Sequence, residues 1–562
     1  MTSRLVPMLY SSLKQGYSFQ FFTKDLIAGI IVGIVALPLA IAFAIASGVK
    51  PEQGLYTAVV AGLIISLAGG SRFQIGGPTG AFVVLVYNVM QRFGYEGLAL
   101  ATLMAGIMLV IMGVVKLGSF VKFIPYPLTI GFTGGIALII FSTQIRDFLG
   151  LQMDVVPADF LSRMKAYVFS MQSVNPYAAA LAVLAFVILY FWPRITHKIP
   201  GSLVAIVVIT AIVKMFELPV ETIGSRFGSV PNLLPAPHLP HFSFELARQV
   251  FPSAVTIALL AAIESLLSAV VADGMTGMRH RSNMEVVAQG LANIGVVFFG
   301  GIPATGAIAR TATNIRNGAA SPVAGVVHAI TLLGIMMFFA KYAVMIPMCV
   351  LAAILMKVAM NMAEAHLFVR IFRGSPRGDV FVLLLSFILT VLVDITVAIQ
   401  TGVVLASLLF MHRMSQLTQS RYITGALEES EDEDAPQGLR KRDMPPGVEV
   451  FEIYGPFFFG VADKFKTEVN SIDKTPAVFI LRMRHVLSMD LTALRALEDL
   501  FEKTLHDGTV LVLSGIHAQP LAVLHKAGLY DRIGAENITG RIDDALQRAR
   551  ELTQASSSEN NI

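Results

Sequence analysis

Residues 299–314 read FGGIPATGAIARTATN, a polar and glycine-rich run between two strongly apolar stretches. Two glycines and Pro303 oppose a helix before Thr305, whereas residues 307–315 are able to form one. We therefore predict an extended segment that enters the membrane and then begins a half-helix. The first turn of such a helix leaves backbone N–H groups unpaired at the positive end of the helix dipole, which favours a bound anion.

The same pattern occurs earlier in the chain, where residues 76–82 read GGPTGAF. The tripeptides Thr79-Gly80-Ala81 and Thr305-Gly306-Ala307 are identical, and each follows a break made by glycine and proline. Interrupted apolar segments at matching positions in two halves of a chain indicate the substrate site of a transporter. The alternative is two ordinary loops between membrane spans.

The composition indicates a polytopic membrane protein. The chain has 562 residues, of which 55% are hydrophobic and only 14% charged, and its mean hydropathy is +0.69. Soluble proteins of this size do not have that balance. A single cysteine, Cys349, excludes internal disulfides and a cysteine metal cluster. The net charge of +4 is too small to indicate a nucleic-acid partner.

Fourteen apolar segments are predicted to cross the bilayer, seven in each half of the chain, and the third segment of each half is the half-helix. A repeat with an odd number of spans inserts its second copy upside down, so the pattern predicts an inverted repeat. The segments lie at about 26–46, 54–68, 80–90, 98–115, 128–141, 178–191, 202–215, 252–272, 285–299, 306–316, 323–341, 346–361, 378–396 and 398–412.

Basic residues concentrate in the loops predicted to lie inside, among them Arg72, Arg194 and Arg279, whereas the short outside loops carry few. This bias predicts both termini in the cytoplasm and a multi-pass protein of the inner cell membrane.

The composition changes after Met414. A charged linker is predicted over 417–446, followed by an α/β domain over 447–552 and a tail over 553–562. The predicted strands of this domain are 448–454, 477–483 and 509–514, and its predicted helices are 462–469, 491–505 and 519–527.

Several motifs together resemble the SulP family of anion transporters. They are Ala36-Leu-Pro38, Gly54-Leu-Tyr56, Gly76-Gly-Pro78, Pro125-Tyr-Pro127 and Arg310-Thr-Ala312. The C-terminal part resembles the STAS domain that these transporters carry. The resemblance implies a transport domain over 25–416 after a cytoplasmic N-terminus over 1–24. It further implies a core domain of spans 1–4 and 8–11, a gate domain of spans 5–7 and 12–14, an elevator-type movement and a homodimer.

Within the family, residues 270–283 and Gln289-Gly290-x2-Asn293 resemble the cyanobacterial sodium-dependent bicarbonate permeases. Glu264 stands where those permeases have aspartate, and Ile308 stands where they have a threonine near the sodium ion. Ser268 keeps the hydroxyl expected one turn from the acid. The resemblance therefore implies a sodium site formed by Glu264, Ser268 and the backbone of Gly306 and Ala307. A proton on Glu264 is the alternative coupling ion, because it requires only the carboxylate.

Arg310, one turn into the second half-helix, is implied to lie beside the anion. Its alternative role is a structural contact with Glu264 or a backbone carbonyl. Glu264 lies in an apolar helix, where a carboxylate is costly and by default functional; its alternatives are a packing hydrogen bond or a protonated structural acid. The remaining residues of the predicted anion site are Phe43 at the pocket wall, Thr79, Gly80, Ala81, Thr305, Gly306, Ala307 and Ile308.

Together these features predict a secondary active transporter of a small anion, bicarbonate first, with sodium symport and no cofactor beyond the coupling ion. The alternatives are a proton-coupled transporter of sulfate or a dicarboxylate such as fumarate or succinate, and an uncoupled anion channel on the same fold. A third is a signalling receptor centred on the STAS domain, where a cytoplasmic protein partner is also expected to bind. We found no motif of an enzyme.

Overall fold

A computed structural model of the chain describes residues 5–118, 125–153, 156–157, 159–196, 200–229, 231–240, 242–417, 419–423, 445–458, 461, 465–467 and 475–559. The chain divides into two compact units, Met1–Ala406 and Ser407–Ile562.

The first unit is helical. Its first half contains α1 Met8–Lys14, α2 Phe19–Ala46, α3 Pro51–Ala68, α4 Gly80–Val114, α5 Tyr126–Thr143, α6 Ile145–Leu149, α7 Phe160–Ser170, α8 Pro176–Ile195, α9 Gly201–Met215 and α10 Ile223–Phe227. Its second half contains α11 Phe244–Thr276, α12 Ser282–Phe298, α13 Ile308–Arg316, α14 Val323–Ala343, α15 Met348–Met362, α16 Ala365–Gly374, α17 Arg377–Leu392 and α18 Ile395–Leu417, which continues into the second unit.

Each of the fourteen predicted spans lies in a helix, to within a few residues at the ends. The third and fourth share α4, which changes direction at Gly94, where φ is +65° and ψ is −170°. Among the described residues, nine helical runs are both long and apolar enough to cross a bilayer unaided. Others are shorter; α13, the second half-helix, has nine residues.

The helices pack in two groups. One consists of α2, α3, α4, α11, α12, α13 and α14, and the other of α5, α8, α9, α15 and α17. Small residues allow close approach: a Cβ on Gly106 of α4 would lie 2.8 Å from the carbonyl oxygen of Gly290 in α12. Such close contacts are typical of membrane helices, which lack a hydrophobic driving force for association inside the bilayer.

Two short strands lie in this unit, β1 Gly76–Gly77 and β2 Thr305–Gly306, and they pair antiparallel. Each strand directly precedes one of the half-helices, α4 or α13.

The helices of the first unit that lie outside the predicted spans are α1, α6, α7, α10 and α16. The stretch 1–24 contains α1 and the first turn of α2, and the predicted loop after span 12 contains α16. The sequence of α16, AHLFVRIFRG, interleaves arginines with apolar residues, so it has no uniform apolar run to mark it as a span.

The described residues of the second unit include a five-stranded sheet in the order β3-β4-β5-β6-β7, in which the β3–β4 pair is antiparallel and the other pairs are parallel. The strands are β3 Gln419–Ile423, β4 Val448–Tyr454, β5 Val478–His485, β6 Val510–Ser514 and β7 Ile538–Thr539. The helices are α19 Leu491–His506, α20 Ala518–Lys526, α21 Leu529–Ile533 and α22 Ile542–Glu559.

Alternating residues of this sheet fill two cores. Phe451 and Leu481 lie in the larger core with α19, whereas Val450 and Ile480 lie in a smaller core with α22. Asp490 begins α19 by accepting a hydrogen bond from the backbone N–H of Ala493 at 2.8 Å.

Two predicted segments of this region contain secondary structure. The predicted linker 417–446 contains β3, which pairs with β4, and its residues 418 and 424–444 lie outside the described residues. The predicted tail 553–562 begins as helix, since α22 runs to Glu559. Most of the predicted helix 462–469 also lies outside the described residues.

Candidate functional site

The pairing of β1 with β2 places the two sequence breaks side by side. Gly76 is opposite Gly306 and Gly77 is opposite Thr305. Ala307 adds a bond beyond the strand, since its N–H donates to the carbonyl oxygen of Ile75 at 2.8 Å. Because the strands are antiparallel, α4 and α13 leave the pair from opposite ends with their positive N-terminal ends close together. The arrangement can hold a negative charge between them.

Arg310 is the one cation that the described residues place at this crossing. It lies in the first turn of α13 and is only 2% exposed. Its Nη2 donates to the carbonyl oxygen of Pro78, directly before α4. Its Nη1 has no hydrogen-bond partner among the described residues. The Nη2 of Arg310 therefore makes the structural contact with a backbone carbonyl, while its Nη1 remains available at the start of α4.

The two matching threonines differ in their contacts. Thr79 immediately precedes α4, and its buried hydroxyl has no partner among the described residues. The hydroxyl of Thr305, in contrast, donates to the carbonyl oxygen of Ala261 in α11 at 2.9 Å. Thr79 is thus available to a ligand, whereas Thr305 fastens β2 to α11.

Phe43 and Gly80 form an apolar wall at the start of α4. A Cβ on Gly80 would lie 3.4 Å from Cε1 of Phe43 and 3.6 Å from Cδ1 of Ile140 in α5. Phe43 and Ala81 are both buried. The predicted wall residue therefore lies beside the first half-helix, and the side chain of Ile140 reaches it from the other helix group.

Glu264 and Ser268 lie on α11, which packs against β2 and α13. The carboxylate of Glu264 is 8% exposed and makes no hydrogen bond or salt bridge with any residue that the structure describes. The hydroxyl of Ser268 lies 3.1 Å from Oγ1 of Thr311, which also accepts a bond from the N–H of Ile75. The two residues thus lie on the helix that borders the crossing.

The strand pair and the bond next to it fix the backbone of Gly306 and Ala307. Ile308, in contrast, is not part of the buried site. Its side chain is 37% exposed, whereas Arg310 two residues later is buried. Gly306 has Gln74 so close that a Cβ would lie 2.0 Å from its Nε2.

Gln74 belongs to a buried polar network that sequence reasoning missed. Its Nε2 donates to Oε1 of Glu285 at 2.9 Å, and Glu285 is completely buried. The other oxygen of Glu285 accepts the N–H groups of Gly70 and Ser71. The position of Glu285 in the apolar helix α12 was the available signal, as it was for Glu264. Because the hydrogen bonds of Glu285 go to buried groups of the protein next to β1, this residue stabilises the position of β1.

The second unit has a buried ion pair of its own. Oε2 of Glu452 accepts hydrogen bonds from the hydroxyl of Tyr454 at 2.8 Å and from Nη1 of Arg482 at 3.3 Å. Burial, assisted by Glu452, raises the pKa of Tyr454, so its hydroxyl keeps its proton and remains a donor. Burial lowers the pKa of Arg482 even though Glu452 opposes the change. The pair fastens β4 to β5.

Comparisons with known proteins agree with this architecture. Residues 22–386 match the model of the sulfate permease family, and residues 442–549 match the STAS domain. "Putative sulfate transporter YvdB" of Bacillus subtilis is 43% identical over 96% of this chain and 99% of its own length. "Bicarbonate transporter BicA" of Picosynechococcus is 32% identical over 94% of this chain and 95% of its own length.

Among solved structures, that of SLC26A9 superposes with a TM-score of 0.85 over 98% of this chain and 93% of its own, at 18% identity. At that identity the likeness shows the fold alone. It confirms the predicted fold class, a multi-span membrane protein with a 7+7 repeat followed by a STAS domain.

Proposed function

The chain belongs to the sulfate permease family and carries a STAS domain, and we propose that this anion transporter moves bicarbonate by secondary active transport. The observation that carries the proposal is the uncommitted Nη1 of Arg310, buried at the paired starts of α4 and α13. A buried donor without a partner is costly, and an anion bound there would satisfy it. The unpartnered hydroxyl of Thr79 would provide a second contact.

The charge of this site favours a singly charged substrate. Arg310 is the only full positive charge among the described residues of the site, and the two helix starts add about half a charge each. Glu264 lies on the neighbouring helix α11 and, when ionised, subtracts one charge. The balance suits an anion such as bicarbonate better than a dianion.

We propose that Glu264 binds the coupling cation. Its carboxylate lacks a protein partner in the described structure, and an ionised acid would repel the substrate beside it. A cation bound there would remove the repulsion, so that the two ligands favour each other's binding. Sodium is the proposed ion, with oxygen ligands from Glu264, Ser268 and the carbonyls of Gly306 and Ala307. A proton on Glu264 is the alternative coupling ion. The exposed Ile308 supplies no side-chain oxygen, which disfavours the binding of sodium but not that of a proton.

An elevator-type movement is proposed from the two helix groups. The predicted core corresponds to the group of α2–α4 and α11–α14, which contains both half-helices. The predicted gate corresponds to the group of α5, α8, α9, α15 and α17, with α18. Since the anion site belongs mainly to the first group, a movement of that group would carry the anion with it.

The inner cell membrane, cytoplasmic termini and a homodimer complete the proposal. The distribution of basic residues supports the orientation. A cytoplasmic protein bound to the STAS domain is also proposed.

Sulfate is a second candidate substrate, because the 43%-identical relative of Bacillus subtilis is named "Putative sulfate transporter YvdB". A dianion in this site would need Glu264 neutralised, which a proton would do. Proton-coupled sulfate or dicarboxylate transport would therefore use the same residues.

Uptake into proteoliposomes separates these candidates. Labelled bicarbonate, sulfate and fumarate would each be offered with a sodium gradient, a pH gradient or neither, at fixed membrane potential. We expect bicarbonate accumulation that requires inward sodium and is lost in Glu264→Gln, whereas Glu245→Gln, at the exposed beginning of the same helix, serves as the control for the loss of an acid outside the coupling site. Accumulation driven by the pH gradient alone would assign the proton, and flux that never exceeds equilibrium would indicate a channel.

A further inference from the structure

Two cations share one tyrosine ring where α8 and α15 end. The guanidinium carbon of Arg194 lies 4.9 Å from the ring centroid of Tyr190, and Nζ of Lys357 lies 5.5 Å from the same centroid. Arg194 also lies 5.1 Å from the ring centroid of Phe191. The two helices pack against each other, and these four residues lie in the last two turns of their helices. Basic and aromatic side chains therefore meet at one end of the proposed gate.

The positive charge at this end has no carboxylate partner. Neither Arg194 nor Lys357 forms a salt bridge with any residue that the structure describes; each contacts an aromatic ring instead, whose face attracts cations. Helices α8, α9 and α15 contain no aspartate or glutamate, and the first acid after Lys357 is Glu364, about two helical turns further along. A lysine inside an apolar helix is costly, so we expect a counter-ion from outside the protein.

The other helices that contact α15 do not cancel this charge. Helix α5 has no acid. Asp147 of α6 lies within electrostatic range of Cys349, eight residues before Lys357, and forms a bidentate salt bridge with Arg226. Asp25 of α2 is completely buried among four hydrogen-bond donors. The end of α8 and α15 is therefore net positive.

The beginning of α9 adds to this positive charge. A Cβ on Gly201, its first residue, would lie 3.3 Å from Cβ of Trp192 in α8. The positive end of the α9 dipole therefore lies beside the end of α8.

An apolar stripe on α8 leads away from the two cations. Val183, Val187 and Tyr190 are exposed, and together with Arg194 they are spaced three or four residues apart, so that they share one face of the helix. From Val183 to Arg194 this face is about 16 Å long, close to the hydrocarbon thickness of one leaflet, about 15 Å. The stripe therefore has the length and the chemistry to pack along one acyl chain, with the cations at the level of the headgroup.

We infer that the end of α8 and α15 binds the headgroup phosphate of an anionic glycerophospholipid. Arg194 and Lys357 attract the phosphate, and the acyl chain lies along the exposed stripe of α8. A zwitterionic lipid brings a cation of its own, which the two basic residues repel, so a lipid with net negative charge is favoured. In the proposed orientation both helices end on the cytoplasmic side. The inference goes beyond the proposed function: the bound lipid anchors the proposed gate in the bilayer while the core moves.

Quenching of tryptophan fluorescence tests this site, because Trp192 is the only tryptophan of the chain and lies between Phe191 and Arg194 in the sequence. The full-length protein is reconstituted into vesicles of phosphatidylcholine with increasing phosphatidylglycerol. In one series the phosphatidylglycerol carries bromine atoms in its acyl chains, and in the other the phosphatidylcholine does, because bromine quenches only nearby tryptophan. The two quenching curves give the ratio of the binding constants of the two lipids at the positions that contact Trp192.

We expect phosphatidylglycerol to be preferred at least about threefold at low salt, since each basic residue near the surface adds to the attraction. Arg194→Gln and Lys357→Gln should each lower this ratio, and the double variant should bring it to about one, whereas Arg194→Lys should keep it. Lys214→Gln removes the same charge at the other end of α9, about 20 Å from Gly201, and should leave the ratio unchanged. High salt should weaken the preference of the parent.

A ratio of about one in the parent would overturn the inference, as would a preference that the double variant keeps. Absence of quenching by both lipids would assign the surface to a protein contact, such as a second copy of the chain, and would overturn it as well. Inorganic phosphate should lower the preference no more than chloride at equal ionic strength; a specific loss would assign the site to a free anion instead. Uptake is not measured here, so each of these failures would leave the transport proposal intact.

Discussion

Gly77 has φ of +149°, a backbone conformation that side chains rarely adopt. A Cβ at this position would also lie 2.5 Å from Nη1 of Arg310, the atom proposed to bind the anion. The glycine therefore serves two purposes: it allows β1 to form and it leaves space for the guanidinium. Sequence reasoning recognised the break here but not its contact with Arg310, which is supplied from another part of the chain.

Gly77→Ala should reduce bicarbonate uptake at least tenfold, because the methyl group would displace the guanidinium from the start of α4. Backbone strain by itself should cost about 1–3 kcal/mol of unfolding free energy. Gly228→Ala is the matched control, since Gly228 also has positive φ, +80°, but nothing within 4 Å of a Cβ. Initial uptake rates and thermal unfolding of both variants check the prediction; equal losses of uptake would show that strain alone is responsible.

The identical tripeptides show where residue-level prediction stops. Thr79 and Thr305 were both predicted to contact the anion. The hydroxyl of Thr79 has no partner in the described structure, whereas that of Thr305 is hydrogen-bonded to the carbonyl oxygen of Ala261. The difference arises because α11 passes beside β2, a tertiary contact that the two tripeptides cannot encode. The assignment of Thr79 and Arg310 as ligands of the anion stays a prediction.

At the scale of elements, Asp25 joins the beginning of α2 to the beginning of α14. Its carboxylate is completely buried and accepts the N–H groups of Ala320 and Ser321 at 2.6 and 3.0 Å. It also accepts the hydroxyls of Ser321 at 2.6 Å and Tyr17 at 2.8 Å. Four donors converge on one carboxylate, which fixes the two helices of the proposed core together.

Asp25→Asn should lower the unfolding free energy by about 2–4 kcal/mol, because the new amide N–H₂ would face donors that need an acceptor. Tyr17→Phe removes only one of the four bonds and should cost about 1 kcal/mol. Thermal unfolding in detergent would check both values. A melting temperature of Asp25→Asn no lower than that of Tyr17→Phe would show that the carboxylate does not hold α2 and α14 together.

Elements were predictable where a single physical signal marks them. Apolar run length located the spans, and proline with glycine located the half-helices. The change of direction of α4 at Gly94 lies between the predicted spans 80–90 and 98–115, whereas the amphipathic α16 escaped prediction because it forms no long apolar run. The β1–β2 pair escaped as well: Pro78 and Arg310, which bond beside it, lie 232 residues apart along the chain.

At the scale of the whole molecule, assembly is proposed to depend on the STAS domain. Contacts between membrane helices gain little from the hydrophobic effect inside a bilayer, so a small transmembrane interface would be weak. Deleting residues 430–562 should therefore shift the protein towards monomer at low concentration in detergent, as measured by light scattering. A truncated protein that stays dimeric on dilution would contradict this assignment, and transport that survives the deletion would contradict the receptor alternative.

The central claim is that Arg310 holds the anion between the two helix starts, and the dependence of bicarbonate uptake on its concentration tests it most directly. Arg310→Gln keeps both helix dipoles but loses the full charge, so the half-saturation concentration should rise at least about tenfold with little loss of folded protein. Arg316→Gln, at the exposed end of the same helix, should leave it unchanged. An Arg310→Gln protein that is folded and saturates at the wild-type bicarbonate concentration would contradict the account.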